Sequence, residues 1–372
     1  MRFVIERGDL LRALGHVASV VEKRTTIPIL SNVLLRANAE GLQLKATDLE
    51  REVVETVSAN VATPGAVTVP AHMLHDIVRK LPDGVQIRIE REPERERVTI
   101  AAGQARFALQ ALPADDFPDL AAGQMSHSFE LASGDFKRLI EKTRFAISTE
   151  ETRYYLNGIY LHPAKSGGAA VLRAVATDGH RLAQFDLEQP AGVEGMPGII
   201  IPRKTVHELY RLIEATDAPI KVDVSSAKVR VEIGPITMTS KLVDGTFPDY
   251  GRVIPQANDK VLEVSSQVFM GAVDRVSTIA SERVRAVKLN IAPGKLVLSV
   301  NNPDGGSATE EVAAEFSSAA MEIGFNARYL LDISGQLESD SLRFLLSDPG
   351  SPTIVKDVGD ENALYVLMPM RV

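Results

Sequence analysis

Ala176-Thr-Asp-Gly-His-Arg-Leu-Ala-Gln-Phe-Asp-Leu187 begins as a polar turn around Asp178-Gly179 and continues as an alternating strand. A related stretch is Ala46-Thr-Asp-Leu-Glu-Arg-Glu-Val53, and a more distant one is Ser299-Val-Asn-Asn-Pro-Asp-Gly-Gly306. Two readings compete. In the first, Asp178, His180 and Arg181 form a catalytic cluster, since residues 178 and 180 share one face of a strand and a carboxylate beside an imidazole can do acid–base work. This is the hydrolase or nuclease alternative. In the second, the stretch is one copy of a repeated turn put to a special use. The chain has no Gly-x-Ser-x-Gly, no phosphate loop and no second carboxylate–His cluster to support the first reading.

Self-comparison supports the second. Phe3-Val-Ile-Glu-Arg-Gly-Asp-Leu10 is an alternating strand, a turn and the start of an apolar-periodic run, and Phe129–Phe136 and Leu262–Val268 repeat it. In each copy a Ser, Asp or Gly near the turn can cap the helix that follows. Val69-Pro-Ala-His-Met-Leu-His-Asp-Ile-Val78 resembles Ile201-Pro-Arg-Lys-Thr-Val-His-Glu-Leu-Tyr210, with Pro at a strand-to-helix junction where its missing N–H is harmless. Phe325-Asn-Ala-Arg-Tyr-Leu-Leu331 takes that place in the third copy. Short alternating strands follow each helix. The plan is therefore three similar domains, 1–123, 127–253 and 255–372, each roughly two-fold repeated. The expected class is α+β with antiparallel sheets.

Composition narrows the chemistry. With 372 residues, 45% hydrophobic and 24% charged, the chain has an ordinary globular balance and is too long for one core. It has no Cys, which excludes disulfides, thiolate metal sites and a cysteine nucleophile. No apolar run approaches the roughly 20 residues of a membrane helix, and Met1–Arg7 alternates like a strand instead of forming a signal-peptide core. The expected location is cytoplasmic. His72 and His75 lie at i and i+3 of an expected helix without an evident third metal ligand, so no metal and no cofactor are expected.

The net charge of −8 argues at first against nucleic acid. Its distribution argues the other way. Lys and Arg outnumber Asp and Glu in the expected helical segments 7–24, 71–82, 134–148, 202–216 and 266–285, and only 326–339 reverses the balance. If equivalent helices of three copies share one side, that side is positive and suited to a phosphate backbone without reading sequence.

Several long, collinear motifs carry a resemblance along essentially the whole chain. They are Thr177–Ala183, Arg153-Tyr-Tyr-Leu-Asn-Gly158, Ser240–Gly245 with Phe247-Pro-Asp-Tyr250, Thr25–Asn32 and the terminal Tyr365-Val-Leu-Met-Pro-Met-Arg-Val372. On these the chain resembles the bacterial DNA polymerase III beta subunits, the replicative sliding clamps. The resemblance implies a clamp fold: three domains per subunit, sheets outside and helices lining a central channel, and two subunits closing head to tail into a ring around double-stranded DNA. It implies a non-enzymatic processivity factor. It places DNA contacts at Arg24, Tyr154, Tyr155, Arg203, Lys204 and Tyr329, and the apolar dimer interface at Phe107 and Ile279, with Arg106, Glu310 and Glu311 as rim charges. A groove for short linear peptides falls at Leu156, Thr177, Gly179, His180, Arg181, Leu182, Pro248, Val253, Val366, Met368, Pro369, Met370 and Arg371, with His180 and Arg181 at its rim. The implied partners are the DNA polymerase III alpha subunit, the clamp-loader delta subunit and other polymerases or repair proteins. Three places depart from the family pattern: His72 stands where relatives often carry a basic residue, Gly251 where they commonly carry Arg, and Asp304-Gly-Gly-Ser-Ala308 where they have an acidic stretch after Asn-Pro.

Overall fold

The computed structural model describes residues 1–91, 96–120, 123–214, 217–281, 285–303 and 305–371. Six α-helices recur at the expected places: α1 Arg7–Val17, α2 Ala71–Lys80, α3 Ser133–Arg144, α4 Arg203–Ile213, α5 Ser266–Ser277 and α6 Ala327–Ser334. Each buries an apolar stripe at three- and four-residue spacing, such as Leu10, Ala13, Leu14 and Val17 on α1 or Phe269, Ala272, Val273 and Val276 on α5. The helices are shorter than the charged segments drawn from sequence. α1 gives way at Ala18–Val20 to a 3₁₀ turn, which leaves Arg24 outside the helix. Glu282 and Arg283, counted in the fifth segment, lie outside the described residues, as does Asp304 of the third turn.

The caps also differ from expectation. At α1 it is Glu6 whose carboxylate accepts from the N–H groups of Gly8 and Asp9, at 2.6 and 3.1 Å. Asn326 caps α6 through Arg328 N–H, whereas Ser265 before α5 makes no side-chain cap bond.

The strands form four antiparallel sheets in two compact units. The first unit comprises Met1–Lys137, Pro190–Met196 and Lys204–Leu242, and the second Arg138–Gln189, Pro197–Arg203 and Val243–Val372. In the first unit a five-stranded sheet ends at Ala105–Gln110. An eight-stranded sheet joins Ile236–Lys241 to Arg51–Val57, with Ser240 opposite Arg51 and Ile236 opposite Glu55. In the second unit a nine-stranded sheet joins Arg181–Glu188 to Ala363–Leu367, with Arg181 opposite Leu367 and Phe185 opposite Ala363. A four-stranded sheet ends at Gly306–Ala313.

Two of these pairings join the segments read from sequence as separate domains. The last strand of the central segment extends the first segment's sheet, and the last strand of the third extends the central one. The strands 51–57 and 181–188 that receive them each follow the same Thr-Asp turn. Among the described residues, the equivalent strand of the third segment, 306–313, and the last strand of the first, 105–110, end their sheets with one edge unpaired.

Candidate functional site

The turn at 177–182 is built from its own side chains. Thr177 Oγ1 donates to Arg181 O at 2.7 Å and accepts from Gly179 N–H at 3.1 Å. Asp178 Oδ1 accepts from the N–H groups of His180 and Arg181, both at 3.0 Å, and Oδ2 takes Arg181 Nε at 3.2 Å. The first copy reproduces this atom by atom. Thr47 Oγ1 donates to Arg51 O at 2.7 Å, and Asp48 holds Arg51 N–H at 2.6 Å and the Arg51 guanidinium at 2.6 Å. The bend needs a left-handed residue, supplied by Gly179 at φ +86 and by Leu49 at φ +73. The Asp178 carboxylate is thus occupied in shaping the backbone, and the repeated-turn reading accounts for the cluster.

In the second copy the strand that follows the turn is one side of an apolar site. Leu156, Val175, Leu182, Ile200, Phe247 and Val366 form a buried cluster, with Tyr155, Tyr160, Val243, Tyr250, Ile254 and Leu364 packed against it. Three candidate groove residues, Leu156, Leu182 and Val366, are therefore floor. Above them, apolar side chains stand in solvent: Pro248, Val253 at 46% exposure and Met368 at 38%. His180 O accepts Met368 N–H at 2.9 Å, and Met370 N–H bonds Gly324 O at 2.8 Å, so the terminal segment is held on both sides. Pro369, Met370 and Arg371 border a cavity of about 610 Å³ with Glu322, Ile323 and Pro349. His180 and Arg181 border another of about 510 Å³ with Glu150, Asn326 and Tyr329.

Arg181 does not stand at a rim. It is only 8% exposed, and its guanidinium reaches Asp332 Oδ2 at 2.5 Å and Phe145 O at 2.7 Å besides Asp178. It also lies 4.4 Å from the Tyr329 ring centroid and 5.2 Å from that of Phe145. Nothing local in the sequence announces this, because Asp332 comes from α6, far along the chain. Tyr329, a candidate DNA contact, packs against Arg181 and stacks with the imidazole of His180, 6.2 Å away. Burial pushes its phenol above the ordinary range.

The remaining DNA candidates divide into free and engaged groups. Tyr154 is 54% exposed, on the 3₁₀ stretch Glu151–Leu156, with Tyr155 edge-on to it at 5.7 Å. Arg24 is exposed, and Arg203 is half-buried at the start of α4. Lys204 is exposed but pairs with Glu22 at 2.6 Å, an ion pair weak enough for a phosphate to compete with. His72 donates from Nε2 to Val21 O at 3.0 Å, and Gly251 sits in the short 3₁₀ helix Tyr250–Val253.

The helical cation excess translates only partly into free positive surface. Lys142 is buried against Gln336 O and Glu338, Arg138 pairs with Asp360 at 3.0 Å, and Lys137 with Glu214 at 3.5 Å. Lys142 holds the Glu338 carboxyl below its ordinary range. Among the described residues, no group of three or more His, Asp and Glu side chains could hold a metal ion. No helix among them is long and apolar enough to cross a membrane.

Of the interface candidates, Phe107 lies on the edge strand 105–110 and Ile279 lies beyond α5. Phe107 borders a cavity of about 540 Å³ with His72, Met73, Asp76, Ile77, Lys80 and Leu81. Ile279 follows α5, and its carbonyl accepts from Asn302 Nδ2 at 2.9 Å. Glu310, expected as a rim charge, is taken in-chain by a two-bond grip from Arg275, at 2.5 and 3.0 Å. Lys295 stands 3.5 Å from Glu311.

Comparison with known proteins identifies the family of the chain. Three family models of the DNA polymerase III beta subunit match consecutive stretches: the N-terminal domain at 1–121, the central domain at 130–249 and the C-terminal domain at 251–371. The chain is 50% identical to the beta sliding clamp of Caulobacter vibrioides and 40% identical to that of Escherichia coli, in each case over 100% of both chains. Among solved structures it is similar to the sliding clamp (DNA polymerase III subunit beta) of Bartonella birtlesii bound to griselimycin, with 53% identity, a TM-score of 0.97 and 100% coverage of both chains.

Proposed function

The chain belongs to the family of DNA polymerase III beta subunits, the sliding clamps, and we propose that two copies close head to tail into a ring around duplex DNA. Its role is that of a processivity factor, which tethers a polymerase by topology and needs only weak, sequence-neutral phosphate contacts. The observation that carries the ring is the strand rule. The last strand of one segment joins the post-turn strand of the preceding segment at 236–241 with 51–57, and again at 363–367 with 181–188. The same rule leaves one pair to be made, 105–110 of one copy with 306–313 of the other. Both are free sheet edges, and such an edge is a template for another chain. Made twice, that heterologous contact closes a two-fold ring.

In this reading Arg24, Tyr154, Tyr155, Arg203, Lys204 and Tyr329 face the DNA. The groove over Leu156, Leu182 and Val366 takes short peptides with one or two apolar anchors. The exposed Met368 and half-buried Met370 can repack around different ligands. Through such peptides the clamp would receive the polymerase III alpha subunit, the clamp-loader delta subunit and repair polymerases, one at a time.

The test is topological. The protein is loaded on nicked circular DNA, which is then linearised. Retention on the circle with loss from the linear form is the expected result; equal retention on both would refute encirclement. Replacing Arg24 and Lys204 together by Ala is expected to weaken DNA association and to lower the salt slope of log K by about 1 to 2. A slope identical to wild type would show that neither side chain meets a phosphate.

A further inference from the structure

The segment 244–253, which carries the groove candidates Pro248 and Val253, belongs to no sheet. Val243 N–H bonds Ile200 O just before it. Beyond that, and apart from bonds inside the 3₁₀ helix Tyr250–Val253, its backbone–backbone bonds among the described residues are local, Arg252 N–H to Asp249 O and Ile254 N–H to Gly251 O, both at 3.4 Å. Two side chains fasten it instead. Phe247 enters the apolar cluster and stacks on Tyr160, with centroids 4.8 Å apart and planes within 6°. Tyr250 meets a polar row laid across three neighbouring strands.

In that row His162 stands opposite Arg173 on one strand pair, and Arg173 stands opposite Asp186 on the next. Asp186 receives the Arg173 guanidinium through two bonds of 2.7 Å. The Arg173 guanidinium also lies near the Tyr250 hydroxyl. Tyr250 lies 2.9 Å from His162 Nε2, and His162 Nδ1 lies 2.9 Å from Pro163 O. With the imidazole neutral, one assignment of protons makes both of its bonds. A carbonyl can only accept, so Nδ1 carries the proton, and Nε2 must then accept from the Tyr250 O–H. Burial first, and then the nearby Arg173 charge, hold His162 below its ordinary range, which keeps the imidazole in the neutral form the row requires. His162 also stacks on Tyr160 at 4.5 Å, so the residue that orients Tyr250 is itself fixed by the ring that orients Phe247.

We propose that His162 and Tyr250 are positioning residues for the peptide groove. The row sets the height and direction of 248–253 and so the gap between Val253 and Met368. This rests on the groove reading given above. The segment has no ladder bonds to fall back on, so loss of the Tyr250–His162 bond is transmitted to Pro248 and Val253 instead of being absorbed by a sheet.

The experiment measures the affinity of the full-length protein for a fluorescein-labelled hexapeptide with one Leu and one Phe anchor, by anisotropy, alongside urea unfolding. Tyr250→Phe and His162→Leu are each expected to raise Kd by about 2- to 10-fold, the range one net hydrogen bond gives. The double variant should do no more than the stronger single one, because both remove the same bond. His162→Gln, which keeps an acceptor for the hydroxyl, should restore affinity to within about twofold. Deletion of residues 370–372 serves as the control for the groove. Wild-type affinity in Tyr250→Phe, with binding abolished by the deletion, would overturn the positioning role alone. Additive losses in the double variant would overturn it as well. Unchanged binding in the deletion variant would overturn the groove reading and this proposal with it.

Discussion

Replacing Arg181 by Met lowers the stability of the clamp by about 3 to 5 kcal/mol, the cost of removing one partner from a buried charge network. The side chain is the single cation shared by Asp178 on its own turn, Asp332 on α6 and Phe145 O at the end of α3. Met fills much of the same volume and keeps contact with the Phe145 and Tyr329 rings, so the loss reports charge and hydrogen bonding, not a cavity. Both carboxylates retain some solvent, with side-chain exposures of 17% for Asp178 and 31% for Asp332, which places the expected value near 3 kcal/mol. Arg181→Lys is expected to recover less than half, because one ammonium cannot span three acceptors set in a fork. Urea unfolding measures both. A loss below about 1 kcal/mol in Arg181→Met would show that water takes over the guanidinium's bonds.

The second large effect concerns the free edges. Phe107→Asp together with Ile279→Asp is expected to turn the dimer into a monomer at micromolar concentration. In the proposed ring each substitution removes an apolar anchor from the interface and leaves a carboxylate there, at about 2 to 4 kcal/mol apiece. Because the ring has two identical contacts, the losses count at both. Sedimentation equilibrium checks the association, and the retention assay on circular DNA checks the consequence, since an open form has no topological hold. Phe107 is half-buried and Ile279 lies beyond the end of α5, so neither is needed for its own core. A dimer as strong as wild type would exclude these two residues from the interface.

How much of this was legible follows from the range of the forces involved. The repeat was legible because it is written in local chemistry. Thr177 and Asp178 bond to atoms two to four residues away, Thr47 and Asp48 do the same, and a spacing conserved within one chain exposes that. Helix positions were legible from apolar periodicity, but their ends were not. Arg24 continues the charge pattern of α1 although the backbone turns into a 3₁₀ stretch at Ala18.

The pairing of 236–241 with 51–57 was not legible at all. Alternation marks a strand but does not name its neighbour, and these two are far apart in the chain. For the same reason the sequence presented Arg181 as a rim charge and did not single out His162. Their partners, Asp332 and Tyr250, arrive from other elements. The count of basic residues in helices overstated the free charge, since Lys142 and Arg138 are spent on Glu338 and Asp360.

The two unpaired edges, 105–110 and 306–313, have one more consequence. A head-to-tail contact carries no instruction to stop after two subunits; closure depends only on the turn accumulated per subunit. Substitutions that change strand twist near either edge, with the contact itself intact, should therefore yield neither rings nor monomers but open helical filaments that lengthen with concentration. Electron microscopy of such variants would show polymer where a weakened interface shows single particles. Solubility in this fold is a matter of curvature as well as of charge.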